Sequence, residues 1–204
     1  MNKLYLCVAA TILLAACKSV GYNDLTPSKQ PNNNLLPVLE IKTDTSIYPR
    51  LLDIGKKKKV VDKRGNDAKN IFHKEVQQNI IETTGANKGS ISLRLNYENT
   101  VNNSAYSAVG TVSLLALGVP LLLGVPFGAK TQDLEVEVQI LNKHKDVIRT
   151  YTEKVSDTEY KAAWWGYDSQ SIYRKLAAEN LKQALAEIRR QINNDAVQIR
   201  TELK

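Results

Sequence analysis

The sequence predicts an α+β domain: a four-stranded, mainly antiparallel sheet with two helices on one face, and an apolar insertion containing Gly and Pro between strands 2 and 3. Three observations carry this expectation. Ile91, Leu93, Leu95 and Tyr97, and again Leu134, Val136, Val138 and Ile140, alternate with polar residues at the period of two that a half-buried strand requires. Two other stretches repeat apolar residues at helical spacing, one from Ala68 to Ile80 and one from Tyr173 to Ile192. The chain has 204 residues, 43% hydrophobic and 24% charged, which excludes collagen, a wholly disordered chain and a polytopic membrane protein. One compact domain with appendages fits that size.

The appendages come first. Lys3 provides a basic start, and Leu4 to Ala16 run thirteen residues without a charge. That is the length of a signal-peptide core; a membrane span needs ~20 residues. Residues 1–16 are therefore expected to be an export signal. The run closes on Leu14-Ala15-Ala16-Cys17, which resembles the lipobox of bacterial lipoproteins. The resemblance implies cleavage before Cys17, a diacylglyceryl group on its thiol and fatty acyl chains such as palmitate, because small residues at 15 and 16 admit the chain to the peptidase. Two or three acyl chains hold a protein stably on a bilayer, at ~0.8 kcal/mol per buried methylene. Lys18 stands where enteric lipoproteins retained in the inner membrane carry aspartate, so the resemblance implies the cell outer membrane with the domain facing the periplasm. Signal removal takes Cys7 and acylation consumes Cys17, leaving no thiol pair for a disulfide.

Residues 17–34 are rich in Asn, Pro, Ser and Lys and lack apolar periodicity. They cannot bury enough surface to offset their ordering entropy, and read as a flexible tether. The α/β domain is expected over 35–192. Leu35 to Lys42 reads as a first strand. A helix starts at Asp67, places Ala68, Ile71, Phe72, Val76 and Ile80 on one side, and stops by Gly85. The strand at 91–97 follows. Strands over 134–140 and from Asp146 to about Val155 are joined by a turn at Asn142 to Lys145 and should pair as a hairpin. Asp168 or Ser169 can cap the last helix, with Leu176, Ala177, Leu181, Ala184, Leu185, Ile188 and Ile192 on its apolar face. Residues 193–204 read as a charged C-terminal helical extension that continues the pattern through Ala196, Ile199 and Leu203.

This order of elements resembles the small α/β domains of the TolB amino terminus, the auxiliary lipoproteins of transporters, the activators of penicillin-binding proteins and the curli secretion lipoprotein. The resemblance covers layout from Leu35 to Ile192, and no functional residue carries over from it beyond Cys17.

The insertion, 99–129, has no charged residue, and from Val109 onward only Thr111 and Ser113 are polar. A single crossing would put strands of one sheet on opposite sides of a membrane. Pro120 and Pro126 also oppose a continuous helix, since an interior proline costs about 3 kcal/mol. Three readings stay open: a helical hairpin packed on the domain or between copies, an apolar tip entering lipid through Leu114, Leu115, Leu121, Leu122, Leu123 and Phe127, and a β-hairpin given to an oligomeric secretion pore.

Net charge is +7. After export no cellular nucleic acid is met, so the densest basic run, Lys56, Lys57, Lys58 and Lys59 in a loop before the first helix, is either a solvated loop or a contact for anionic headgroups. Trp164, Trp165 and Tyr167 are either a staple under the last helix or a contact for membrane or partner. His73 and His144 are 71 residues apart without metal-ligand spacing, so no metal and no cofactor is expected. No G-x-S-x-G or H-E-x-x-H motif is present, and Gly85-Ala86-Asn87-Lys88-Gly89-Ser90 has the wrong order for a phosphate loop. The expectation is a lipid-anchored envelope protein that binds an envelope protein or another copy of itself without catalysis. The alternative is an oligomeric secretion or pore component using 99–129 in the membrane.

Overall fold

A computed structural model describes residues 26–31, 34–44, 58–103, 128–161 and 169–203. Six elements follow in order: β1 (Glu40–Asp44), α1 (Lys58–Asn79), β2 (Gly89–Asn103), β3 (Gly128–Asn142), β4 (Val147–Lys161) and α2 (Ser169–Glu202). The fold is α+β, with two helices and an open sheet ordered β1-β2-β3-β4. β1 pairs with β2 in parallel, with Glu40 opposite Ser90 and Asp44 opposite Arg94. β3 runs antiparallel to both neighbours. Rising numbers on β2 meet falling numbers on β3, from Gly89 beside Leu141 to Asn96 beside Glu135. On β4, Ser156 and Lys154 face Asp133 and Glu135.

The chain divides into two compact units. The larger comprises 22–99, 133–156 and 177–204 and holds the inner face of the sheet under both helices. Ile91, Leu93, Leu95, Leu134, Val136, Val138 and Ile140 are buried there while the residues between them are not, which is the alternation a one-sided sheet imposes. Against them pack Ile71, Phe72 and Val76 of α1, and Leu185, Ile188, Ile192 and Ile199 of α2. Each such side chain contributes about 1.5–3 kcal/mol of transfer free energy. The smaller unit comprises 1–21, 100–132 and 157–176. Among its described residues Thr131 and Thr158 share a hydroxyl hydrogen bond of 2.8 Å, and Lys175 pairs with Glu159 at 3.3 Å.

The β3–β4 hairpin expected from Asn142 to Lys145 is present. Asn142 accepts from the Lys145 amide through its carbonyl and from the amides of His144 and Asp146 through its side-chain oxygen. Lys145 takes a φ of +68° to close the turn.

Several boundaries differ from expectation. α1 starts at Lys58, nine residues before Asp67, so Lys58 and Lys59 belong to a helix and not to a loop. Apolar spacing missed these turns because Arg64 is 5% exposed through an ion pair with Glu98 at 2.5 Å, an anchor that hydrophobic patterning does not register. β2 and β3 extend to Asn103 and Gly128, so both ends of the stretch read as insertion are strand. β4 continues to Lys161. The first strand is shorter than 35–42, because Pro37 has no amide to give a ladder. Leu36 instead makes an isolated parallel bridge to Ile81, so the sheet has one extended segment more than the four expected. On α2, Ala178 is buried where Ala177 was expected, and Ala196, Ile199 and Leu203 keep residues beyond 192 packed on the core.

Candidate functional site

The interior of the larger unit carries a polar seam between the helices. On α1, Glu75 lies one turn beyond Ile71 and Asn79 one turn beyond Glu75, so both project from the buried stripe. The Arg189 guanidinium of α2 donates to Glu75 Oε1 at 2.6 Å, and Asn79 Nδ2 donates to Glu75 Oε2 at 3.0 Å. Burial raises the Glu75 pKa above its ordinary value; Arg189 and then Asn79 oppose the rise. Both carboxylate oxygens are occupied by these bonds, so the seam fastens α1 to α2.

The same asparagine holds the chain that enters the domain. Asn79 Nδ2 also donates to the Ser28 carbonyl at 3.1 Å, and Asn79 Oδ1 accepts from the Gln30 amide at 3.0 Å. An amide side chain thereby stands in for a neighbouring strand, satisfying one acceptor and one donor two residues apart. Lys74 Nζ donates to Thr26 Oγ1 at 2.9 Å, and Pro27 is buried. Residues 26–31 form a strap across α1, within the stretch read as tether. Residues 17–25 and 32–33 lie outside the described residues.

Between β1 and α1 opens a groove of about 300 Å³, lined by Val38, Ile41, His73, Gln77, Ile81 and Glu82 among others. This is the lower end of the size range for small-molecule sites. Its polar groups, an imidazole, an amide and a carboxylate, stand at the rim. On the outer face of the sheet, Glu135 receives Lys154 at 2.9 Å and Asn96 at 3.3 Å, and Glu137 receives Asn96 at 3.1 Å. The Lys154 bond, ahead of the Asn96 bond, lowers the Glu135 pKa. Along β4 the inward residues clamp α2: Tyr151 donates to Asp195 at 2.9 Å, Gln191 to Glu153, and Arg149 pairs with Glu202 at 3.0 Å. Burial, then the hydrogen bond to Asp195, pushes the Tyr151 phenol well above its ordinary value. Arg200 of α2 donates through Nε to the Leu35 carbonyl at 3.0 Å.

Of the residues singled out in the sequence, Cys17 with Leu14, Ala15 and Ala16 lie outside the described residues. So do Leu114, Leu115, Leu121, Leu122, Leu123, Phe127, Trp164, Trp165, Tyr167, Lys56 and Lys57. His73 is exposed on α1 and His144 is exposed in the hairpin turn, on separate elements. Among the described residues no group of three metal-ligating side chains converges, and no helix is long and apolar enough to cross a membrane. The residues that sequence reasoning missed are Glu75, Asn79 and Arg189. A signal was there: a carboxylate and an amide inside an apolar helical stripe need partners once buried.

No protein-family model matches the chain, and no curated protein sequence matches it. Among solved structures, it is similar to a candidate lipoprotein of Caulobacter crescentus CB15 at 13% identity and a TM-score of 0.33, covering 80% of this chain and 89% of that one. It is also similar to a minor lipoprotein of Acinetobacter baumannii at 14% identity and a TM-score of 0.30, covering 83% and 96% respectively.

Proposed function

We propose that the chain is a lipid-anchored lipoprotein of the bacterial cell envelope, in the outer membrane with its domain facing the periplasm, acting as a binding or scaffold subunit without chemistry of its own. The observation that carries the anchor is Leu14-Ala15-Ala16-Cys17 at the end of a thirteen-residue uncharged run, the layout of a cleaved and acylated signal. The non-catalytic reading draws support from how the buried titratable groups are used. Glu75 is committed to Arg189 of α2 and to Asn79 of its own helix, and Tyr151 of β4 to Asp195 of α2.

Growth with an alkyne-bearing palmitate tests the anchor. The parent chain takes up the label and stays with the membrane pellet, whereas Cys17→Ser loses the label and accumulates uncleaved. Label on the Cys17→Ser chain equal to that on the parent rejects the reading. In-cell crosslinking followed by affinity capture tests the scaffold role: a discrete partner or a second copy is expected, and recovery of the monomer alone counts against it.

A further inference from the structure

Over residues 64–79, where its side chains are described, the solvent face of α1 carries cations and amides and no carboxylate. Between residues 64 and 79 the helix has two acids, Asp67 at 7% exposure and Glu75 at 2%, and both are turned inward. What remains outside is Asn66, Lys69, Asn70, His73, Gln77 and Gln78, with Lys74 half-buried. The strap adds exposed Lys29 beside it. The helix begins within the basic run, at Lys58 and Lys59, and its first six residues also include Asp62; the side chains of 58–63 lie outside the described residues. On the opposite side of the same unit, the outer sheet face presents Asp133, Glu135 and Glu137 between Arg94 and Lys154. Over residues 64–79 the outward side chains of α1 are thus cationic or neutral, while the sheet face on the other side of the unit is carboxylate-rich.

The strap determines which side the anchor pulls. Thr26 is bonded to Lys74 and Ser28 and Gln30 to Asn79, so the first described residues of the chain are held on α1. Thr26 is nine positions along the chain from Cys17, and the stretch between them has a bounded length. Even fully extended these nine steps reach roughly 32 Å, so the α1 face cannot stand farther than that from the residue that carries the acyl chains. A tether free up to Asn34 would reach about twice as far and favour no face.

We propose that the solvent face of α1, with Lys29 of the strap, lies on the headgroups of anionic phospholipid in the leaflet that holds the anchor. The inference rests on acylation at Cys17 and adds a fixed orientation to it. Each basic residue near an anionic surface strengthens binding on the order of fivefold at physiological salt, so Lys29 and Lys69 together account for at least tenfold.

The test uses the full acylated chain on vesicles with a headgroup-attached nitroxide quencher. A fluorophore is placed at Asn70→Cys on α1 or at Thr152→Cys on the outer sheet face, both exposed. On phosphatidylglycerol-containing vesicles the Asn70 probe is quenched several-fold more than the Thr152 probe. That preference falls toward parity on pure phosphatidylcholine vesicles and in the Lys29→Gln, Lys69→Gln double variant, while the protein stays bound through its acyl chains. Equal quenching at the two positions on phosphatidylglycerol, or a preference unchanged in the double variant, overturns the orientation. Loss of the chain from pure phosphatidylcholine vesicles overturns the anchor instead, because retention there depends on acylation alone.

Discussion

The carboxylate of Glu75 on α1 and the guanidinium of Arg189 on α2 meet at 2.6 Å in the interior, 114 residues apart in sequence. Their attraction must offset the desolvation of two charges, so the net stability of the pair is small, but leaving one of them alone is expensive. Glu75→Ala is expected to cost about 3–5 kcal/mol in urea unfolding, whereas Glu75→Leu combined with Arg189→Met should fall within about 1–2 kcal/mol of the parent or exceed it. A double variant as unstable as the single one would mean that the pair itself, and not the orphaned charge, carries the cost.

The pH dependence of this pair has a definite sign. Burial raises the folded pKa of Glu75 above 4.5, so the folded chain holds that proton more tightly than the unfolded chain does. Its contribution to stability therefore grows as pH falls from above the raised value toward 4.5, and is lost as pH rises through that window. Unfolding free energies of the parent and of Glu75→Gln, measured from neutrality down to pH 4.5, should show the parent gaining on the variant as pH falls. A gap that is constant or moves the other way contradicts the assignment.

Gly89 opens β2 against β3 so closely that a methyl group there would sit 2.0 Å from the Leu141 carbonyl oxygen. The obstacle is backbone, which cannot rotate aside as a side chain would. Gly89→Ala is expected to cost about 1–3 kcal/mol and lower Tm, with the loss read by thermal unfolding followed by circular dichroism. A variant that melts with the parent would show that the strand ends can part without penalty.

Lys145 holds the left-handed backbone at +68° in the β3–β4 turn. That conformation costs a side-chain-bearing residue roughly 1–2 kcal/mol, while glycine adds about 0.5–1 kcal/mol of unfolded-state entropy. The first effect is the larger, so Lys145→Gly should stabilise by about 0.5–1 kcal/mol and Lys145→Val should destabilise. Calorimetry on the two variants separates them.

Asn79→Ala removes both contacts to the strap and one of the hydrogen bonds to Glu75. Hydrogen exchange at the Gln30 amide should accelerate by an order of magnitude or more, with a global loss of about 1–3 kcal/mol for the groups left unsatisfied. Unchanged protection at Gln30 would place the hold on the strap elsewhere, at Lys74 or Pro27.

What was legible in the sequence follows from periodicity. Leu134 to Ile140 and Leu181 to Ile192 announce their faces because burial on one side imposes a repeat of two or 3.6, and the structure buries those residues. The hairpin was equally legible, since Asn142 caps its own turn through contacts four residues long at most. The first turns of α1 and the outer thirds of β2 and β4 were not. Arg64 belongs to a helix because Glu98, thirty-four residues later, receives it in the interior, and no local pattern encodes that meeting.

The sequence by itself carried the expectation of an export signal, the lipobox resemblance at Cys17 and the alternation of elements, because each of these rests on neighbours within about a dozen residues. Only the tertiary structure decided that Glu75 finds Arg189, that Asn79 grips the strap, and that both described acids of α1 turn inward to leave a cationic face. The physical reason is that a buried charge or amide is tolerated only where a distant partner arrives to satisfy it, and that arrival is a property of the folded chain.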